Sequence, residues 1–173
     1  MRVFLTGFMG AGKSTVGREL ATRLGWPFVD LDEEVERRAG MTVREIFERL
    51  GEPEFRRRER EVLAGSFALD PVVVATGGGT LVEPELLALA RARGAVVFLH
   101  PPFETLVRRI GPVGKAERPL FRDETAALAL YRERLASYRR ADHTVEIRPG
   151  ETPAEIAARI RLELRLPEAA CSS

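Results

Sequence analysis

Apolar residues fall along the chain in two alternating rhythms. Val72-Val73-Val74-Ala75 and Ala95-Val96-Val97-Phe98-Leu99 are near-continuous apolar runs, the pattern of strands covered on both faces, and predict strands at Val72–Thr76 and Ala95–His100. Shorter runs predict strands at Val3–Thr6, Pro27–Asp30 and Thr144–Arg148. Between them apolar positions recur every three or four residues, as Val16, Leu20, Ala21 and Leu24 do, which is the rhythm of a helix with one buried face. The spacing predicts helices over Ser14–Leu24, Asp32–Ala39, Thr42–Leu50, Pro53–Ala68, Pro84–Arg93, Pro102–Ile110, Glu124–Arg139 and Pro153–Leu164. Thr42 followed by Glu45 is a capping-box pair. Pro84, Pro102 and Pro153 stand at helix starts, where the first turn needs no backbone N–H. Five strands alternating with helices predict an α/β fold of three layers, a five-stranded parallel sheet with helices on both faces. No repeat or low-complexity segment divides the 173 residues. One domain over residues 1–173 is expected, with a disordered tail over Pro167–Ser173.

Composition narrows the classes. A formal net charge of +1 gives no reason to expect nucleic acid or a membrane as partner. The arginines are interleaved with glutamates, as in Glu33-Glu34-Val35-Glu36-Arg37-Arg38, which reads as solvated helix faces. A single cysteine, Cys171, excludes a disulfide framework or a Cys-based metal site within one chain. His100 and His143 sit at strand ends and form no ligand cluster. There is no 18-residue apolar span, and the chain opens directly on a core strand, so a cytoplasmic location is expected.

The chemistry begins at the first strand's end. Gly7-Phe8-Met9-Gly10-Ala11-Gly12-Lys13-Ser14 matches the P-loop pattern G-x-x-x-x-G-K-[ST] at every fixed position. In such a loop backbone N–H groups surround the phosphates, and the following helix turns its positive end toward them. Lysine occurs only at Lys13 and Lys115 among 27 Lys and Arg residues. A chain that otherwise uses arginine thus places a compact ammonium where the loop requires one. A plain Gly-rich turn is the bland alternative, and the strand–loop–helix setting argues against it. In a nucleotide-using enzyme, the turn-rich stretch from Gly111 to Pro119 is expected to be part of a mobile lid over about residues 111–122.

Further carboxylates, arginines and glycines follow. Asp30 and Asp32 stand at the end of the second strand, two apart, where both can face one cleft. The alternative is that Asp32 only caps the next helix. Arg56 and Glu59 are three apart on one helical face and can pair. A guanidinium held beside a cleft suits an anionic substrate. Gly77-Gly78-Gly79 follows a central strand. Three glycines carry an entropic cost that makes sense where a ligand lies against bare backbone.

Taken together, Gly7 to Thr15, Asp30-Leu31-Asp32, Phe55-Arg56 with Glu59, Gly77-Gly78-Gly79 and Arg118-Pro119-Leu120 resemble the shikimate kinase family over residues 1 to 165. The resemblance implies ATP-dependent phosphorylation of the 3-hydroxyl of shikimate, in chorismate and aromatic amino acid biosynthesis, by a monomer using Mg²⁺. It implies that Gly10, Ala11, Gly12, Lys13, Ser14 and Thr15 hold ATP, that Ser14 binds the metal, and that Asp30 does so through water. Asp32 would bind the acceptor hydroxyls and serve as base. Arg56, Gly77, Gly78, Gly79 and Arg134 would bind shikimate, with Phe47 and Phe55 along its ring or simply in the core. Arg118 would close over both ligands as a catalytic residue, and Arg109 and Pro153 fall where the family holds adenine. The chain reads Arg134-Leu135-Ala136-Ser137-Tyr138 where the family commonly has Arg-x-Pro-x-Tyr, which leaves Arg132 as an alternative to Arg134. Another small-metabolite kinase of the same fold is the nearest rival. A GTP-dependent switch would need an Asn-Lys-x-Asp motif, and neither lysine lies in one.

Overall fold

The computed structural model describes residues 1–117 and 123–169, with 111–117 described by backbone alone. The five apolar runs form β1 (Arg2–Thr6), β2 (Phe28–Asp30), β3 (Val72–Ala75), β4 (Ala95–His100) and β5 (His143–Glu146). They pair in parallel in the order β2-β3-β1-β4-β5. The helices are α1 (Lys13–Leu24), α2 (Leu31–Ala39), α3 (Val43–Leu50), α4 (Glu52–Ser66), α5 (Pro84–Arg91), α6 (Phe103–Glu117), α7 (Glu124–Tyr138) and α8 (Pro153–Glu163), with a 3₁₀ turn at Thr80–Val82.

Side chains alternate across the sheet, so neighbouring residues of one strand serve different cores. Val3 and Leu5 of β1 pack with Val16 and Leu20 of α1, Leu106 of α6, Tyr131 and Tyr138 of α7, and Ile156 and Ile160 of α8. Phe4, between them, packs with Leu31 and Val35 of α2, Ile46 of α3, Phe55 and Val62 of α4, and Leu87 of α5. Both faces are therefore covered, which explains the unbroken apolar runs. Capping boxes at Thr42 and Thr152 start α3 and α8. On the helix surfaces several arginines pair with glutamates three or four residues away, such as Arg57 with Glu54 at 2.8 Å and Arg44 with Glu48 at 2.8 Å. Such pairs contribute little stability individually.

Two expectations change. Helix α6 does not stop at Ile110 but continues through Glu117, across Gly111 and Pro112. Local preference is against this, since proline inside a helix removes a hydrogen bond and crowds the carbonyl four residues back, but the turns before it are anchored by buried Leu106 and Ile110. The rest of the expected lid, 118–122, lies outside the described residues. At the other end, the expected tail begins tied down. Leu166 is buried, and the Ala169 N–H donates to the Arg23 carbonyl at 3.0 Å. Residues 170–173 lie outside the described residues. No described helix is long and apolar enough to cross a membrane.

Candidate active site

The loop between β1 and α1 takes its shape from glycine. Gly7, Gly10 and Gly12 have φ of 143°, 79° and 94°, values that L side chains rarely adopt. A Cβ on Gly7 would also lie 2.7 Å from the Leu99 carbonyl oxygen. Helix α1 has Gly12 as its N-cap and no side-chain cap, so no side chain of its own covers the first-turn N–H groups, which an anion can then meet. The Lys13 ammonium folds back to donate to the carbonyls of Gly7 (2.8 Å) and Phe8 (3.0 Å). Thr15 Oγ1 donates to the Gly12 carbonyl at 3.0 Å. Arg109 of α6 donates to the Ala11 carbonyl at 3.2 Å, so its guanidinium lies against the loop. Pro153 opens α8 just beyond β5, at the same end of the parallel sheet as the loop.

Asp30 joins this loop to the next helix. Its Oδ1 accepts from the N–H groups of Asp32 (3.0 Å) and Glu33 (3.3 Å), and its Oδ2 accepts from the Ser14 hydroxyl at 2.5 Å. The helix cap is therefore Asp30, not Asp32, because the last strand residue is the one whose side chain reaches the first-turn donors. A hydroxyl and a carboxylate held together are hard oxygen donors, and Mg²⁺ takes few such protein ligands and completes its shell with phosphate and water. Ser14 and Asp30 thus fit that ion.

A cavity of about 550 Å³ opens beside the loop, between α2, α3, α4, the segment after β3, and α7. Asp32, Phe47, Phe55, Arg56, Gly77, Gly78, Gly79 and Arg134 all line it. Phe47 and Phe55 touch with ring centroids 4.9 Å apart. Arg132, by contrast, is exposed, so Arg134 is the α7 arginine in the cavity. Arg118 lies outside the described residues.

Charge pairing sets the cavity's arginine. Arg56 donates to the buried carboxylate of Glu59 at 2.5 Å and to Glu52 at 3.0 Å. Burial acts to lower its pKa, but Glu59, then Glu52, more than offset this and raise it. Arg56 therefore stays a cation facing the cavity. Glu59 in turn accepts from the Thr80 hydroxyl at 2.5 Å.

Two of the three glycines are required by what surrounds them. A Cβ on Gly77 would lie 2.1 Å from Glu59 Oε1 and 2.9 Å from Asp32 Oδ1. A Cβ on Gly79 would lie 2.6 Å from the Arg56 guanidinium. At both positions the protein's own side chains take the space, where the sequence pointed only to a ligand. A Cβ on Gly78 would lie 3.5 Å from Met9 N and 3.7 Å from Gly7 O, ordinary contact distances. Thr76 holds this segment against β1, its N–H and hydroxyl both donating to the Leu5 carbonyl at 3.0 and 2.9 Å. Sequence reasoning does not reach Thr80, and it meets Tyr138 only as part of the Arg-x-Pro-x-Tyr pattern, without a role for the hydroxyl, which donates to the Gly78 carbonyl at 2.5 Å. The four-residue spacing of Arg134 and Tyr138 on one helix was the available signal.

A phosphate loop with its lysine, joined through Asp30 to an acid- and arginine-lined cavity on this sheet, defines a P-loop kinase. Residues 9–165 match the family model described as shikimate kinase. Shikimate kinase of Aquifex aeolicus is 39% identical over 95% of this chain and 96% of that protein, and that of Salinibacter ruber is 40% identical over 92% and 82%. The solved shikimate kinase of Acinetobacter baumannii in complex with shikimate superposes with a TM-score of 0.88, at 38% identity over 95% of this chain and 93% of the other. The chain belongs to the shikimate kinase family.

Proposed function

We propose that this chain transfers the γ-phosphoryl group of ATP to the 3-hydroxyl of shikimate, giving shikimate 3-phosphate and ADP. The observation that carries the reading is the contact between its two halves. Met9 of the phosphate loop lines the same cavity as Asp32, Arg56, Gly78 and Arg134, and a Cβ on Gly78 would touch the backbone of Met9 and Gly7. An acceptor in the cavity would thus meet a phosphoryl group on the loop.

The residues divide the work by charge. The backbone from Gly10 to Thr15 cradles the phosphates, and Lys13 exchanges its two carbonyl partners for phosphate oxygens. Arg56 and Arg134 bind the carboxylate of shikimate by guanidinium–carboxylate hydrogen bonds, with Gly77, Gly78 and Gly79 against the ring and Phe47 and Phe55 along its apolar side. That grip leaves the 3-hydroxyl facing the phosphate. Asp32 orients this hydroxyl and accepts its proton. Ser14, and Asp30 through water, would hold Mg²⁺, which would supply charge neutralisation on the phosphate oxygens. Arg109 and Pro153 flank the adenine, and Arg118 closes from the lid over both ligands. Positioning and electrostatic stabilisation are the main demands of phosphoryl transfer. The protein acts as a cytoplasmic monomer within a single domain, with ATP and shikimate as its ligands and no nucleic acid or membrane partner.

The test is ADP release from Mg·ATP with and without shikimate, with identification of the product. Shikimate-dependent release with formation of shikimate 3-phosphate is expected. ATP binding without shikimate-dependent turnover would remove the substrate assignment and leave the phosphate loop.

A further inference from the structure

The Gly78 carbonyl joins the segment after β3 to α7. It accepts from the Tyr138 hydroxyl at 2.5 Å and from Arg134 Nη1 at 3.2 Å. The Arg134 guanidinium and the Tyr138 phenol thus share one acceptor. Tyr138 is fully buried, and its ring stacks on Phe98 of β4 with centroids 5.2 Å apart. Arg134, one helical turn earlier, lines the cavity. Burial pushes the Tyr138 phenol up to about 12, so it remains a protonated donor at neutral pH. Nothing in the functional reading above uses this residue.

We propose that Tyr138 is a positioning residue for the substrate carboxylate, acting through Arg134 and the Gly78–Gly79 peptide. The proposal rests on the shikimate kinase reading and adds a residue that never touches the ligand. Two physical arguments support it. A peptide between two glycines has wide conformational freedom and no side chain to hold it. The peptide unit is planar and trans, so anchoring the Gly78 carbonyl toward α7 turns the Gly79 N–H, on the opposite edge of the plane, away from α7. The second argument concerns Arg134, a long side chain with many rotamers to lose. Tied to the carbonyl that the Tyr138 hydroxyl holds in place, it keeps its other donors for a carboxylate in the cavity. Without the hydroxyl, each substrate molecule would have to order both groups on binding.

Tyr138→Phe keeps the ring and its stack on Phe98. Steady-state kinetics of the full chain would be compared with the wild type on shikimate and on shikimate methyl ester, which lacks the carboxylate charge. For shikimate, KM is expected to rise about tenfold, the scale of one buried hydrogen bond. The KM for ATP and kcat should stay within about twofold. With the methyl ester the two proteins should differ by less than about twofold, and adding Tyr138→Phe to Arg134→Ala should raise KM no further. An unchanged KM for shikimate in Tyr138→Phe would overturn the proposal. So would a parallel rise for shikimate, ester and ATP with a lowered Tm, since the hydroxyl would then only stabilise the fold. An inactive wild type would overturn the functional reading and this proposal together, whereas an active wild type matched by Tyr138→Phe overturns the positioning role alone.

Discussion

The phosphate loop draws its wall from residues 7–15, whereas the acceptor cavity takes Asp32 from α2, Phe47 from α3, Arg56 from α4, Gly77 to Gly79 from the segment after β3, and Arg134 from α7. The loop's form rests on backbone angles at Gly7, Gly10 and Gly12. The cavity's form rests on paired charges, with Arg56 held between Glu52 and Glu59. A side chain removed from the loop should cost chemistry and leave the shape, because the shape is backbone. A change in the cavity should disturb packing and chemistry together, because its charged groups hold one another.

The largest effect is expected at Lys13. Lys13→Met should lower kcat by about 10⁴-fold, the scale of a cation acting on a transferring phosphoryl group. Circular dichroism and calorimetric binding of shikimate should be unchanged; loss of shikimate binding would break the proposed independence of the two regions. Asp32→Asn should lower kcat by about 10³-fold, as removal of a general base does, with ATP affinity retained. Near-normal turnover would take Asp32 out of the base role.

Glycine substitutions sharpen the comparison at smaller magnitude. Gly77→Ala puts a methyl 2.1 Å from a buried Glu59 oxygen, and overpacking of this kind costs about 1–3 kcal/mol. Urea unfolding should show that loss, together with a raised KM for shikimate from the displaced Glu59–Arg56 pair. Gly40→Ala is the control. That residue has φ of 61° and nothing within 4 Å of the added Cβ, so only the backbone cost of about 1 kcal/mol applies. Equal activity loss in the two variants would refute the packing argument.

The smallest effect is with pH. Burial raises the Tyr138 phenol from 10.0 to about 12. The folded state therefore holds the proton more tightly than the unfolded state, and this contribution is fully present below pH 10 and lost as pH rises toward 12. Ultraviolet titration should show the phenolate of the two tyrosines appearing later in the folded protein than in denaturant, since burial raises Tyr131 as well. Coincident folded and denatured titrations would contradict the buried hydroxyl behind Arg134.

Legibility in the sequence followed range along the chain. All five strands were readable because Val72–Ala75 and Ala95–His100 carry their burial in their own composition. Helix α6 was not readable past Ile110, because Gly111 and Pro112 are turn residues by local preference and only the anchored helix before them carries the backbone on. The pairing of Arg56 with Glu59 followed from helical spacing, but the third partner, Thr80, comes from a different segment. Arg132 and Arg134 are indistinguishable as residue types; the face of α7 packed on the sheet separates them.

By itself the sequence determined the alternation of strand and helix, the glycine-shaped phosphate loop and the carboxylates and arginines that bear charge. Those features depend on periodicity and on backbone preference, which act over a few residues. Only the tertiary structure decided the strand order β2-β3-β1-β4-β5. Pairing β3 beside β1 brings Gly78 against Gly7 and Met9 and lets α7 reach the same carbonyl. Neighbours so far apart along the chain are chosen by which faces can be buried together, a property of the whole sheet and not of any one segment.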